Sequence, residues 1–201
     1  MVGKKRRYRK KKRARSEKET RERIAAAAVE LHRTLGPAAT GVKDVAELAG
    51  VSRTTVYSHY PTETDLFVAC STHWASANPF PDPEAWGTIE DPARRLAIAL
   101  EQLYEWYGLK RDMLEKVLRD TAVVPALAEV MDGLWSPYMD RIVAVLARGW
   151  EHDRGASAAG QAALRLSVDF QSWKTLSDAG LDDHGAGKLA ARMAMAVLNP
   201  R

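Results

Sequence analysis

The segment "AELAGVSRTTVYSHY", Ala46 to Tyr60, constrains the fold more than any other part of the chain. Apolar Val45, Ala49, Val51 and Val56 recur at helical spacing, while Gly50 and Ser52 stand where one helix must stop and another start. A short helix over Val42–Ala49, a Gly50 turn and a Ser52-capped helix over Arg53–His59 make a helix-turn-helix, with small Ala46 at the crossing. The apolar pattern leaves Lys43, Arg53, Thr54, Tyr57 and Ser58 facing outward, and Arg53, Thr54 and Thr55 at the start of the second helix. Arginine and threonine can meet base edges, and tyrosine, serine and His59 suit phosphate oxygens. The same geometry also suits a plain αα-hairpin with a solvated polar face.

The rest reads as helix throughout. A first helix is expected from about 17 to 35, with Ser16 as its cap, Ile24, Ala28, Leu31 and Leu35 on its apolar stripe, and Gly36-Pro37 as its end. Thr62 and Asp65 form a capping box opening a helix over 63–77. The four prolines and one glycine of Asn78 to Pro92 predict a loop. Further helices are expected from Pro92 to Tyr107, from Arg111 to Arg119 beyond a break at Gly108, from Pro125 to His152, over Gly160–Asp178 and over His184–Leu198. No stretch alternates as a strand would, so the class is all-α with about nine helices.

Charge is distributed unevenly. The first fifteen residues hold ten of the thirty Lys and Arg and no acid, leaving twenty bases against 26 acids in the remainder. That basic arm is expected to be disordered when free, because it repels itself and has nothing to bury. From Ser16 to Thr62 six bases meet six acids, so the helix-turn-helix module is formally neutral. Neutralised phosphates supply most nonspecific affinity for DNA, so Lys4, Lys5, Arg6, Arg7, Arg9, Lys10, Lys11, Lys12 and Arg13 are candidate backbone or minor-groove contacts. A solvated tail is the alternative.

Thr20 to Ala69, "TRERIAAAAVELHRTLGPAATGVKDVAELAGVSRTTVYSHYPTETDLFVA", resembles the N-terminal domain of the TetR family of transcriptional regulators. The resemblance implies that Lys43, Arg53, Thr54, Thr55, Tyr57, Ser58 and His59 occupy positions that contact operator DNA in relatives. It implies a domain division of 1–15 arm, 16–62 DNA-binding domain, and 63–201 ligand-binding and dimerisation domain. A repressor released from a palindromic operator by a small apolar or aromatic ligand is the expected function. Two positions depart from the pattern: Glu63 stands where relatives commonly carry a phosphate-meeting lysine, and Gly41 where Ser or Thr often caps, with Thr40 a candidate replacement cap.

Leu96, Leu100, Leu103 and Tyr107 form one core stripe of the later region, and Leu127, Met131, Leu134, Tyr138, Ile142 and Val145 another. All six tryptophans lie from Trp74 onward. Such aromatic and methionine content suits an apolar ligand site, with Tyr104, Trp135, Tyr138, Met139, Asp169 and Trp173 as candidates, although ordinary core packing explains each as well. Leu164, Val168, Trp173, Ala190, Met193, Ala194, Val197 and Leu198 give the last two helices wide apolar faces, suited to a two-fold homodimer.

An enzyme is not expected. The five histidines lack metal-ligand spacing, the single Cys70 cannot form an internal disulfide, and no HExxH, P-loop or GxSxG stretch occurs. No metal or cofactor is therefore expected, and a reducing cytoplasmic compartment is. The open alternatives are an architectural nucleic-acid-coating protein led by the basic arm, or a small helical-bundle enzyme.

Overall fold

In a computed structural model of the chain, which describes residues 2–199 and side chains from Lys12 to Asn199, ten α-helices and two short 3-10 turns follow one another without a strand among the described residues. The helices are α1 Val2–Thr34, α2 Val42–Ala49, α3 Arg53–His59, α4 Glu63–Ala77, α5 Pro83–Gly87, α6 Pro92–Asp120, α7 Pro125–Leu146, α8 Ala158–Val168, α9 Phe170–Asp178 and α10 Asp183–Leu198.

The all-α class and most boundaries match the sequence reading, and the differences have local causes. α1 starts at Val2, not near Ser16, so the backbone of the expected disordered arm is helical. Neither Gly nor Pro occurs between Lys4 and Leu35, and pairs one turn apart, Arg13–Glu17 at 3.0 Å and Arg15–Glu19 at 2.8 Å, join the basic run to the acidic turn behind it. Ser16 is no cap, since its carbonyl accepts the Thr20 hydroxyl inside the helix. The Asn78–Pro92 loop contains α5, which begins with Asp82 as cap and Pro83 as first residue, the one place in a helix where proline fits best.

Gly108 does not interrupt α6. The Asp183 carboxylate lies against it, and a Cβ at this position would stand 2.1 Å from Asp183 Oδ2. Glycine here is a contact for a neighbouring side chain. Conversely, the expected Gly160–Asp178 helix divides at Asp169, whose carboxylate accepts the backbone N–H of Gln171 at 2.7 Å and so starts α9 afresh. α7 ends at Leu146, short of His152.

The chain forms two compact units. One comprises residues 1–79 and 112–131, the other residues 80–111 and 132–201. Beyond the expected division at residue 62, Leu66, Phe67 and Cys70 of α4 share a core with Ile24 and Ala28 of α1, Val45, Ala46 and Ala49 of α2, and Val56 of α3. Leu127 and Val130 complete that core. In the second unit Leu96, Leu100, Leu103, Tyr104 and Tyr107 of α6 are fully buried with Ile142, Leu146, Leu164 and Trp173. Leu35 and Leu134, expected in the apolar stripes, are half exposed.

Candidate nucleic-acid interface

Gly50 ends α2 at φ 65° and ψ 40°, a left-handed conformation open to glycine at little cost, and Val51 N–H returns to Ala46 O at 3.0 Å. The next helix starts two residues later. Ser52 Oγ accepts Thr55 N–H at 3.0 Å, so α3 begins at Arg53 with its first side chains unobstructed. Val56 and Tyr60 hold α3 down: Val56 is buried in the shared core, and the Tyr60 hydroxyl donates to Arg21 O at 3.1 Å while the Arg21 guanidinium stacks over its ring.

Arg53, Thr54, Tyr57 and Ser58 are exposed on the other face of α3, as the sequence pattern requires. Lys43 is exposed on α2, its Nζ 3.9 Å from Glu47. Thr55 and His59 are half buried. Thr55 Oγ1 lies 2.9 Å from Ser52 Oγ, and the Thr55 carbonyl accepts the Ser58 hydroxyl at 2.8 Å, so these two serve the helix itself. Gly41 N–H donates to Asp44 Oδ2 at 3.0 Å, closing the start of α2. Thr40, the expected replacement cap, spends its hydroxyl on Gly36 O instead.

Thr62 and Asp65 form the expected capping box, with Thr62 N–H donating to Asp65 Oδ2 at 3.0 Å and Asp65 N–H to Thr62 Oγ1 at 3.1 Å. Exposed Glu63 therefore opens α4 with a negative charge. Lys12 and Arg13 are exposed on α1, and Arg13 is shared with Glu17. The side chains of Lys4, Lys5, Arg6, Arg7, Arg9, Lys10 and Lys11 lie outside the described residues.

Behind this face, in the same unit, lies a buried polar knot that sequence reasoning missed. His32 is 5% exposed, stacked on Phe67 at 5.3 Å with Nδ1 3.6 Å from Cys70 Sγ. Burial lowers its pKa to about 4 despite the Asp120 carboxylate nearby, and burial pushes the Cys70 thiol up to about 12. Asp120, itself buried, accepts Ala38 N–H at 2.9 Å and pairs with Arg119; burial opposes its ionisation, but these partners hold its carboxyl below the usual range. A helical histidine spaced like a core residue was the available signal.

The six residues expected to line a ligand site all lie in the second unit. Trp135, Tyr138 and Met139 are half buried. Phe80 sits 5.0 Å from both Trp106 and Tyr138 and 6.1 Å from Trp135, ring centre to ring centre. The Tyr138 hydroxyl donates to Pro81 O at 3.0 Å. Trp173 is fully buried with Nε1 donating to Asp183 at 2.9 Å, and Asp169 is an exposed helix cap. Tyr104 and Tyr107, one turn apart on α6, donate their hydroxyls to Ser167 O at 2.8 Å and Val168 O at 2.6 Å, satisfying the last carbonyls of α8. Tyr104 also floors a separate cleft of about 420 Å³ between α8, α9 and α10. Leu166, Met193 and Val197 line that cleft and are 65%, 61% and 40% exposed.

Among the described residues no group of three or more His, Cys, Asp or Glu is placed to hold a metal ion, and no helix is long and apolar enough to cross a membrane.

Residues 24–70 match the family model described as bacterial regulatory proteins, tetR family. Among solved structures, the chain is similar to a TetR-like transcriptional regulator from Rhodococcus sp. RHA1, at 18% identity and a TM-score of 0.63 over 90% of this chain and 97% of that one. It is similar to the multidrug binding protein EbrR complexed with imidazole, at 25% identity and 0.53 over 86% and 93%. It also shares a fold with RolR in complex with resorcinol, at 17% identity and 0.51 over 94% and 97%. No curated protein matches.

Proposed function

We propose that this chain, a TetR-family transcriptional regulator, is a ligand-responsive repressor that binds a palindromic operator as a homodimer. The observation that carries the DNA-binding part is the Ser52-capped start of α3, with Arg53 and Thr54 exposed directly after the Gly50 turn. A recognition helix reads base edges mainly through its N-terminal residues. Arg53 is assigned a base edge, and Tyr57, His59 and Lys43 phosphates, while the Ser58 hydroxyl stays on Thr55 O. The half-buried Thr55 supports the helix start instead of a base contact.

Dimerisation follows from the reach of one short helix, which spans only a few base pairs. The exposed apolar side chains Leu166 on α8 and Met193 and Val197 on α10 support a two-fold contact through those helices. The ligand is assigned to the second unit, against the half-buried rings of Trp135 and Tyr138 with Met139 beside them. A small ring compound suits that wall, and the solved EbrR and RolR structures hold imidazole and resorcinol. Release of DNA then requires a ligand that binds unequally to DNA-competent and incompetent states.

The basic N-terminal turns of α1 supply the phosphate contacts that the neutral module and Glu63 withhold. They track the backbone or enter an adjacent minor groove. No metal or cofactor enters this reading, and the compartment is cytoplasmic.

The roles of α3 are separable by experiment. Arg53→Ala is expected to cost about 1–3 kcal/mol on the operator and to relax preference at one base pair per half-site, whereas Tyr57→Phe weakens all sequences alike. Anisotropy titrations of each variant on the operator and on single-base variants measure both effects. Equal losses on every duplex for both variants contradict the assignment.

A further inference from the structure

We propose that the DNA-binding unit has a small-molecule site of its own, a cleft behind α2 where the His32 imidazole accepts a hydrogen bond from the hydroxyl or amine of a small apolar compound. The cleft holds about 280 Å³ and lies among the end of α1, the turn into α2, the first turns of α4 and the α6–α7 turn, all within one compact unit. A cavity of about 150 Å³ already accommodates a benzene ring, so one ring with a short substituent fits here.

The lining divides into an apolar body and a few polar groups. Val42, Val45, Leu66, Phe67 and Val124 supply the apolar wall, and exposed Val123 stands at the rim. The polar groups are His32, Thr40 and Glu63, and each offers an acceptor. Thr40 gives its hydroxyl proton to Gly36 O, which leaves oxygen lone pairs. Glu63 forms no ion pair among the described residues.

His32 decides the chemistry. The Cys70 thiol donates to Phe67 O at 3.3 Å, so the contact between Cys70 Sγ and His32 Nδ1 at 3.6 Å needs the proton on Nδ1. That tautomer leaves Nε2 as an unprotonated acceptor with no hydrogen-bond partner among the described residues, and, unlike Arg95 Nε, it is not sealed from solvent. A hydroxyl or amine donor on the occupant takes the place of the water that otherwise meets that nitrogen. An anionic ligand is disfavoured by Glu63 and by the Asp120 carboxylate, whose field reaches His32.

The occupant would touch Val42 and Val45, and α2 is the helix that positions α3. Ligand binding here acts on the DNA-reading helices directly. The site is independent of the ligand assignment in the second unit, and direct binding without DNA tests it separately.

The experiment titrates the full chain, labelled with ¹⁵N at histidine, with three probes of similar size: phenol, benzylamine and toluene. Phenol is expected to saturate and to shift the His32 Nε2 resonance, with toluene leaving it unmoved. His32→Phe removes the acceptor and should weaken phenol about tenfold. Val123→Trp, at an exposed rim position outside the core, should weaken every probe by closing the mouth. Benzylamine binding tighter than phenol, with the margin lost in Glu63→Gln, assigns the natural ligand to amines; equal or weaker benzylamine assigns it to neutral hydroxyl compounds. Toluene binding as well as phenol, an unmoved Nε2 resonance at saturating phenol, or unchanged phenol affinity in both His32→Phe and Val123→Trp overturns the proposal.

Discussion

Acidification from pH 7 to pH 5 should destabilise the DNA-binding unit by about 2 kcal/mol through one side chain, His32. Its folded pKa is about 4, against 6.5 for an ordinary histidine, because burial disfavours the imidazolium more than the Asp120 carboxylate favours it. Between those values the unfolded chain binds a proton that the folded unit refuses. The stabilising effect is therefore complete above about pH 6.5, falls as pH drops through that window, and is fully lost below about pH 4. The complete loss is about 3 kcal/mol, and about two thirds of it has accrued at pH 5. Asp120 does not confuse the result, because its folded carboxyl is held below the ordinary range and its own stabilising effect is lost only at lower pH. The assay is hydrogen exchange at the core amides of Val45 and Val56, corrected for intrinsic pH dependence, in the parent chain and in His32→Phe. The parent should lose protection steeply between pH 6.5 and pH 5, and His32→Phe should not, whatever its stability at pH 7. The same steep loss in both proteins would refute the burial argument.

Two other perturbations follow from local geometry. Deleting residues 1–15 removes ten bases and should flatten the slope of log affinity against log salt, whereas an unchanged slope makes the basic turns bystanders. Gly108→Ala places a methyl group where the Asp183 carboxylate lies, which displaces the acceptor of Trp173 Nε1. A loss of about 1–3 kcal/mol in urea unfolding of the second unit is expected, and a stability equal to the parent's shows that Asp183 can move freely.

The parts of the fold set by local chemistry were legible in the sequence. Gly50, Ser52, Thr62 and Asp65 act through their own backbones or near neighbours, and α2, α3 and α4 have the bounds their caps demand. Contacts between distant residues were not legible. Gly108 reads as a helix break until Asp183, 75 positions later, is seen against it. The Asp169 break works the other way, because a polar residue inside an apolar stripe gives no sign that Tyr104 and Tyr107 will receive the carbonyls freed there.

The sites divide similarly. Exposure of Arg53, Thr54, Tyr57 and Ser58 follows from helical period alone, while the inward turn of Thr55 follows from its pairing with Ser52. In the second unit residue type does not show which groups the fold already uses. Trp173 and Asp169 look like ligand groups by chemistry, yet one is fixed on Asp183 and the other caps α9. His32 was invisible because its partners Phe67, Cys70 and Asp120 come from α4 and α6.

Selection of bound duplexes from a random DNA pool, with residues 1–201, tests whether two α3 helices read one operator. Binding by a two-fold dimer predicts an enriched inverted repeat whose half-sites lie about 10–10.5 base pairs apart, or a multiple of that, with information concentrated where Arg53 and Thr54 enter the groove. Enrichment of a single unrepeated half-site, or of no sequence beyond general DNA affinity, contradicts it.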